Sequence, residues 1–67
     1  MPYVNIRLAG PATEAQKAEL IKETTDLLVR VLGKNPAATF VVIDEVPTEN
    51  WGSGGISVKE RLAKQGS

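Results

Sequence analysis

The amino-acid sequence predicts an α+β fold class: a β-α-β subunit with two parallel strands, a crossover helix and a C-terminal hairpin, which assembles into an oligomer. Three observations carry this prediction. An alternating apolar pattern opens the chain, a long segment with helical apolar spacing follows, and a run of β-branched residues comes next. When a helix lies between two strands of one sheet, the strands pair in parallel through a right-handed crossover.

The first strand is predicted over residues 3–8, which read YVNIRL. Val4, Ile6 and Leu8 alternate with more polar side chains, and this two-residue period is typical of a half-buried strand. Residues 9–12 read AGPA, and their glycine and proline end the strand.

The crossover helix is predicted to begin after Thr13 and to end at Leu32. Thr13 as N-cap, followed three residues later by Gln16, forms the pattern of a capping box. Gly33, directly after the last apolar position, is typical of a helix C-cap. The apolar positions recur at helical spacing, and one face carries Leu20, Thr24, Leu27, Leu28 and Val31.

The second half of the chain predicts a strand, a turn and a short third strand. Residues 39–45 read TFVVIDE, a β-branched run typical of a strand buried on both faces. Residues 47–55 read PTENWGSGG, which is turn chemistry, and residues 56–58 are expected to form the third strand. Residues 59–67 are expected to be a polar tail of one domain that spans residues 1–67.

Length and composition predict self-association. The chain has 67 residues, and 42% of them are hydrophobic, yet it contains no cysteine and no histidine. A domain of this size buries only about 60% of the surface that its unfolded chain exposes. Disulfides and the usual zinc sites are excluded, and two strands with one helix leave sheet edges unpaired. Partner subunits are therefore the expected source of the missing stability.

Charge and hydropathy exclude several other functions. Lys plus Arg and Asp plus Glu are equal at 8 each, so no electrostatic footprint for nucleic acid is present. The longest apolar run, residues 40–43, is far too short for a membrane span, and no signal-peptide pattern opens the sequence. We expect a cytoplasmic protein that acts on a small molecule without metal or cofactor.

Most of the usual catalytic groups are missing from this sequence. Without histidine or cysteine, the Ser-His and Cys-His arrangements cannot form. Asp44 and Glu45 are neighbours on a strand, so their carboxylates point to opposite faces and are expected to be solvated. Residues 52–55 are glycine-rich but lack the Lys-Ser/Thr ending of a phosphate loop, and a hairpin turn is the better interpretation.

Pro2 is the remaining catalytic candidate. A small second residue permits removal of Met1, which would leave a free prolyl amine held by the strand that follows it. An α-amino group has a pKa near 8, and burial in an apolar pocket lowers that pKa by disfavouring the ammonium. Such an amine is a general base at neutral pH. Trp51, the sole tryptophan, is either a wall of that pocket or a hydrophobic plug at a subunit interface, and both can hold.

The order of these pieces resembles the 4-oxalocrotonate tautomerase family over about residues 2–58. The resemblance is carried by Pro2 with its strand, by residues 13–17 at the helix start, by residues 41–45 and by residues 51–55. It implies a subunit that dimerises through its sheets and usually forms a hexamer. It also implies that Pro2 is the general base of a keto–enol proton shift. Trp51 holds the position of the family's pocket aromatic, which depresses the prolyl pKa.

The sequence departs from the family at its two substrate-binding arginines, whose positions hold Ala12 and Phe40. Phe40 and Trp51 are therefore expected to bind substrate as apolar walls. Arg7 lies on the strand face opposite Pro2 by parity, so it is either solvated or presented to the site by another subunit. The resemblance implies keto–enol tautomerisation of a small 2-oxo or 2-hydroxy-dienoate or of an aryl keto acid, and the missing arginines favour the less charged, more aromatic of these substrates. The alternatives are a non-catalytic oligomer with this fold and a dehalogenase or hydratase of the same superfamily.

Overall fold

The computed structural model describes residues 1–65 and confirms the predicted fold class. Strand β1 spans Tyr3–Ala9, helix α1 spans Glu14–Leu32 and strand β2 spans Phe40–Val46. β1 and β2 pair in parallel, in a register that begins with Tyr3 opposite Phe40. The helix carries the chain back to the start of the sheet, as parallel pairing requires.

A short hairpin follows β2. Strand β3 (Gly52–Ser53) pairs antiparallel with strand β4 (Ile56–Ser57). Single turns of 3₁₀ helix precede β2 at Pro36–Ala38 and precede β3 at Thr48–Asn50. The expected hairpin is therefore present, although its strands are only two residues long.

The predicted helix ends of α1 are confirmed. The backbone N–H of Gln16 donates to Thr13 Oγ1 over 3.1 Å, and the N–H of Thr13 donates to Gln16 Oε1 over 2.9 Å. Both halves of the capping box are thus made. At the other end Gly33 has a φ of 65°, the left-handed conformation that glycine adopts without steric cost, and its N–H donates to the carbonyl of Val29.

The expectation of a polar tail missed a second helix. Helix α2 spans Val58–Gln65, so it covers most of the segment expected to be a tail. It also begins at Val58, which was expected to end the third strand, whereas β4 ends at Ser57. Residues 66–67 lie outside the described part of the chain. Ser57 Oγ accepts a hydrogen bond from the N–H of Glu60 over 3.1 Å, which is the contact of an N-cap. The signal was present in the sequence: Ser57 with Glu60 three residues later is a capping-box pattern.

The subunit has almost no interior of its own. Among residues 1–65 no hydrophobic residue is buried, and the one buried polar residue, Thr39, is still 9% exposed. The sheet face turned away from α1 exposes Tyr3 by 63%, Phe40 by 48% and Val42 by 42%. The prediction that β2 is buried on both faces is therefore wrong for a single subunit, because α1 covers only one face of the sheet.

The shape of the subunit also shows that it lacks a compact core. Its Cα radius of gyration is 15.5 Å, and its extents are 47 × 24 × 15 Å. A compact domain of this length has a radius of gyration of about 11 Å. The chain is thus elongated, with apolar surface spread along it. Among residues 1–65 no helix is long and apolar enough to cross a membrane.

Candidate functional site

Pro2 is fixed at the start of the sheet. Its carbonyl accepts a hydrogen bond from the N–H of Phe40 over 3.0 Å, and its side chain is half-buried. The preceding residue, Met1, is 89% exposed. The sheet therefore holds Pro2 in place while the peptide bond before it lies at the open end of the subunit.

Phe40 lies beside Pro2 through this backbone contact. It is the first residue of β2 and pairs with Tyr3 in the parallel register. Both rings lie on the face of the sheet that α1 does not cover, and each is about half exposed or more. The end of the sheet that carries Pro2 thus presents an apolar surface.

Trp51 lies beyond the opposite end of β2. The strand runs seven residues from Phe40 to Val46, a distance of about 20 Å between its ends, and the chain then turns before it reaches Trp51. Trp51 is half-buried, and its carbonyl accepts a hydrogen bond from the N–H of Val58 over 2.7 Å. Within one subunit the structure therefore joins Pro2 to Phe40 and leaves Trp51 at the far end.

Arg7 is engaged by an acidic side chain on the open sheet face. Its guanidinium Nη2 lies 3.6 Å from Asp44 Oδ2, and the same oxygen accepts a hydrogen bond from Asn5 Nδ2 over 2.8 Å. Both partners of the ion pair are substantially exposed. This places Arg7 in a surface cluster on the side of the sheet away from α1, as strand parity predicts.

Glu45 points the other way, toward α1, so the expectation that Asp44 and Glu45 do not converge is confirmed by their contacts. Glu45 Oε1 pairs with the ammonium of Lys17, and Glu45 Oε2 accepts the backbone N–H of Ala12 over 3.1 Å. The hydrogen bond from Lys17, and after it the one from Ala12, lowers the pKa of the Glu45 carboxyl. Glu45 thereby ties the loop before α1 to the end of β2.

Shallow grooves open on the surface of residues 1–65, and two of them are lined by none of the four predicted site residues. One holds about 380 Å³ along the flank of α1 and is lined by Ala12, Gln16, Glu19, Leu20 and Glu23. The other holds about 280 Å³ and is lined by Gly10, Pro11, Glu45, Val46, Pro47 and Thr48. Among the described residues, no group of three or more acidic side chains is placed to hold a metal ion.

Two contacts near these elements were missed by sequence reasoning. The Lys17–Glu45 pair joins residues far apart in the chain, and only the β-α-β topology brings them together. The guanidinium of Arg61 on α2 donates to the carbonyl of Ser53 in the hairpin over 2.9 Å. That contact could not be anticipated while residues 59–67 were expected to be a tail.

Comparison with known proteins gives a consistent set of similarities. The profile of the family described as "Tautomerase enzyme" matches residues 2–61. "Probable tautomerase K2" of Dickeya dadantii is 60% identical over 62 residues, which covers 91% of this chain and 92% of that protein. The "2-hydroxymuconate tautomerase" of Pseudomonas putida is 43% identical over 60 residues, with 90% and 95% covered.

Solved structures agree with the sequence comparisons. The crystal structure of DmpI from Helicobacter pylori superposes with a TM-score of 0.84 at 45% identity, covering 92% of this chain and 97% of that one. A 4-oxalocrotonate tautomerase from Chloroflexus aurantiacus, described as a heterohexamer, superposes with a TM-score of 0.83 at 30% identity, covering 90% and 97%. The similarity therefore extends over nearly the whole subunit in both sequence and fold.

Proposed function

This chain belongs to the tautomerase enzyme family, and from that premise we propose that it catalyses a cofactor-independent keto–enol proton transfer with Pro2 as the general base. The observation that carries the proposal is the attachment of Pro2 to the sheet, through the hydrogen bond from Phe40 N–H to the Pro2 carbonyl. A terminal amine on a flexible leader would have no fixed position, whereas the Pro2 amine would be held at the edge of an apolar surface.

The chemistry requires the neutral secondary amine that removal of Met1 creates. The amine accepts a proton from the 2-hydroxyl group of the enol, and the resulting ammonium returns a proton to carbon, so that the enol becomes a ketone without net change in composition. Because an apolar environment disfavours the ammonium, we expect the pKa of the Pro2 amine to lie below the value near 8 of a free α-amino group.

The site is completed by a second copy of the chain. Trp51 lies beyond the end of β2 opposite Pro2, so a pocket with both residues takes Trp51 from a neighbouring subunit. The exposed apolar face of the sheet supports such an assembly, since an isolated subunit would leave Tyr3, Phe40 and Val42 in water. The relative from Chloroflexus aurantiacus is a heterohexamer, and we propose a hexamer of identical chains here.

The proposed substrate is a 2-hydroxy-dienoate or the enol of an aryl keto acid. A relative 43% identical to this chain is named for its action on 2-hydroxymuconate, a 2-hydroxy-dienoate that carries two carboxylates. The positions of the family arginines hold Ala12 and Phe40, and Glu45 already accepts the backbone N–H of Ala12. A second carboxylate on the substrate would therefore lose its usual partners, which favours substrates with fewer charges and more apolar surface.

The decisive experiment compares two forms of the protein made by chemical synthesis, residues 1–67 and residues 2–67. Both are assayed with 2-hydroxymuconate and with an arylpyruvate enol, after circular dichroism and light scattering have shown the same fold and assembly. The form that begins at Pro2 should be active, and the form with Met1 should be nearly inactive, because its Pro2 nitrogen is an amide. Equal rates from the two forms would eliminate Pro2 as the base. A Pro2→Ala variant keeps a primary amine at that place and should retain part of the activity.

A further inference from the structure

The hairpin that carries Trp51 is fastened to α2 at two points. The N–H of Val58 donates to the carbonyl of Trp51 over 2.7 Å. One turn further along α2, Arg61 Nη2 donates to the carbonyl of Ser53 over 2.9 Å. The two acceptors flank Gly52, so both contacts act on the same short stretch of backbone.

The guanidinium of Arg61 also lies close against the turn of the hairpin. Gly54 and Gly55 form this turn with φ values of 64° and 88°, a conformation that favours glycine. A Cβ atom built on Gly54 would lie 3.0 Å from Arg61 Nη2, a separation that real Cβ atoms rarely show. The turn and the guanidinium are therefore in direct contact, and the absence of a side chain at residue 54 makes that approach possible.

We propose that Arg61 is a positioning residue for Trp51. Its guanidinium contacts Ser53 and the glycine turn and holds the hairpin against α2. This contact fixes the orientation of Trp51 relative to the rest of the subunit. The inference rests on the proposed function, in which Trp51 closes the pocket over Pro2 of a neighbouring subunit. Arg61 does not touch the substrate in this proposal, and its effect reaches the reaction only through Trp51.

The physical reason is that the hairpin has little else to hold it. β3 and β4 have two residues each, and an isolated hairpin of that length is not stable in water. Hydrogen bonds from a charged donor are stronger than those between neutral groups. A contact of this kind at the turn therefore has a large share in keeping the hairpin in one position.

The test uses Arg61→Met, which keeps side-chain length but removes charge and donors. Lys59→Met is the matched control. It removes the same charge from the same helix, and the Lys59 side chain has no hydrogen bond or ion pair with the described residues that would be lost. Arg61→Lys keeps the charge and a donor. Trp51 is the sole tryptophan, so its fluorescence reports on the hairpin without interference.

In Arg61→Met we expect the Val58 amide to exchange with solvent deuterium about fivefold faster, which corresponds to about 1 kcal/mol for one lost hydrogen bond. The emission of Trp51 should shift to longer wavelength and become easier to quench with acrylamide. Lys59→Met should match the unmodified protein in both measurements, and Arg61→Lys should lie close to it. If Arg61→Met and Lys59→Met give the same exchange rate and the same emission, the proposal is wrong.

Activity provides a second readout that a purely structural role would not move. In Arg61→Met, water admitted beside Trp51 should shift the pH–rate profile toward higher pH, because the Pro2 ammonium is then better solvated. The fluorescence and exchange results do not depend on catalysis. A hairpin loosened by Arg61→Met in a protein without tautomerase activity would therefore overturn the proposed function and support the placement of Trp51 by Arg61.

Discussion

Replacing Thr13 with alanine tests how the start of α1 is held. The change removes Thr13 Oγ1, which accepts the N–H of Gln16 over 3.1 Å. It leaves the reciprocal bond from Thr13 N–H to Gln16 Oε1 possible. The N–H groups in the first turn of a helix have no acceptor within the helix, and Gln16 N–H relies on Thr13 Oγ1 instead. Without that oxygen the start of α1 is destabilised.

The expected size of the effect follows from the cap and from the chain length. Loss of an N-cap acceptor costs about 1 kcal/mol. The entropy of unfolding is about 2.1 cal/mol/K per residue, which for this chain amounts to roughly 0.14 kcal/mol/K. The ratio of the two values predicts that Thr13→Ala melts about 7 °C below the unmodified protein.

The assay is thermal unfolding followed by circular dichroism, with all variants at one protein concentration because dissociation of subunits makes the melting temperature depend on concentration. Thr13→Ser is the matched control, since it keeps the hydroxyl group and should melt near the unmodified protein. Equal melting temperatures for Thr13→Ala and Thr13→Ser would refute the assignment of Thr13 as the cap that stabilises α1.

Three further predictions follow from other contacts. Light scattering at micromolar concentration should show a homo-oligomer, because no apolar side chain of residues 1–65 is fully buried in one subunit; a stable folded monomer would contradict this. The pKa of Glu45 is lowered by Lys17 and by Ala12 N–H, so its contribution to stability is complete above about pH 4.5 and is lost as the pH falls through the lowered pKa; denaturant unfolding of Glu45→Gln should lack that acid-side loss. Trp51→Ala should shift the pH–rate profile toward higher pH, because water admitted beside Pro2 raises the pKa of its amine; an unchanged profile would show that Trp51 does not lie next to Pro2.

The local parts of the fold could be predicted because their signals lie within a few residues. The capping box at Thr13 and Gln16 and the glycine C-cap at Gly33 are short-range patterns, and each is present as predicted. Helix α2 is mostly polar, so its average hydropathy does not distinguish it from a tail, whereas Ser57 and Glu60 carry the same kind of capping signal. A capping pattern can therefore be more informative than average hydropathy in a short terminal segment.

The burial of β2 could not be predicted from the sequence, because it depends on surfaces that one subunit does not contain. The apolar run predicts that both faces of β2 are buried, whereas in the subunit Phe40 and Val42 are exposed on one face of the sheet. The candidate site has the same limitation. Pro2 is a candidate because it stands directly before a strand. The partner of Glu45 lies on an element far away in sequence, and the partner of Arg61 depends on how the hairpin packs against α2.

The parallel register of β1 and β2 has a consequence for how the chain folds. All seven pairs, from Tyr3 with Phe40 to Ala9 with Val46, join residues on opposite sides of α1 at the same sequence separation. The entropy of closing that long loop is lost once, when the first pair forms, and the remaining pairs add without further closure. Pairing of the two strands is therefore expected to be all-or-none, and to be slow compared with formation of α1.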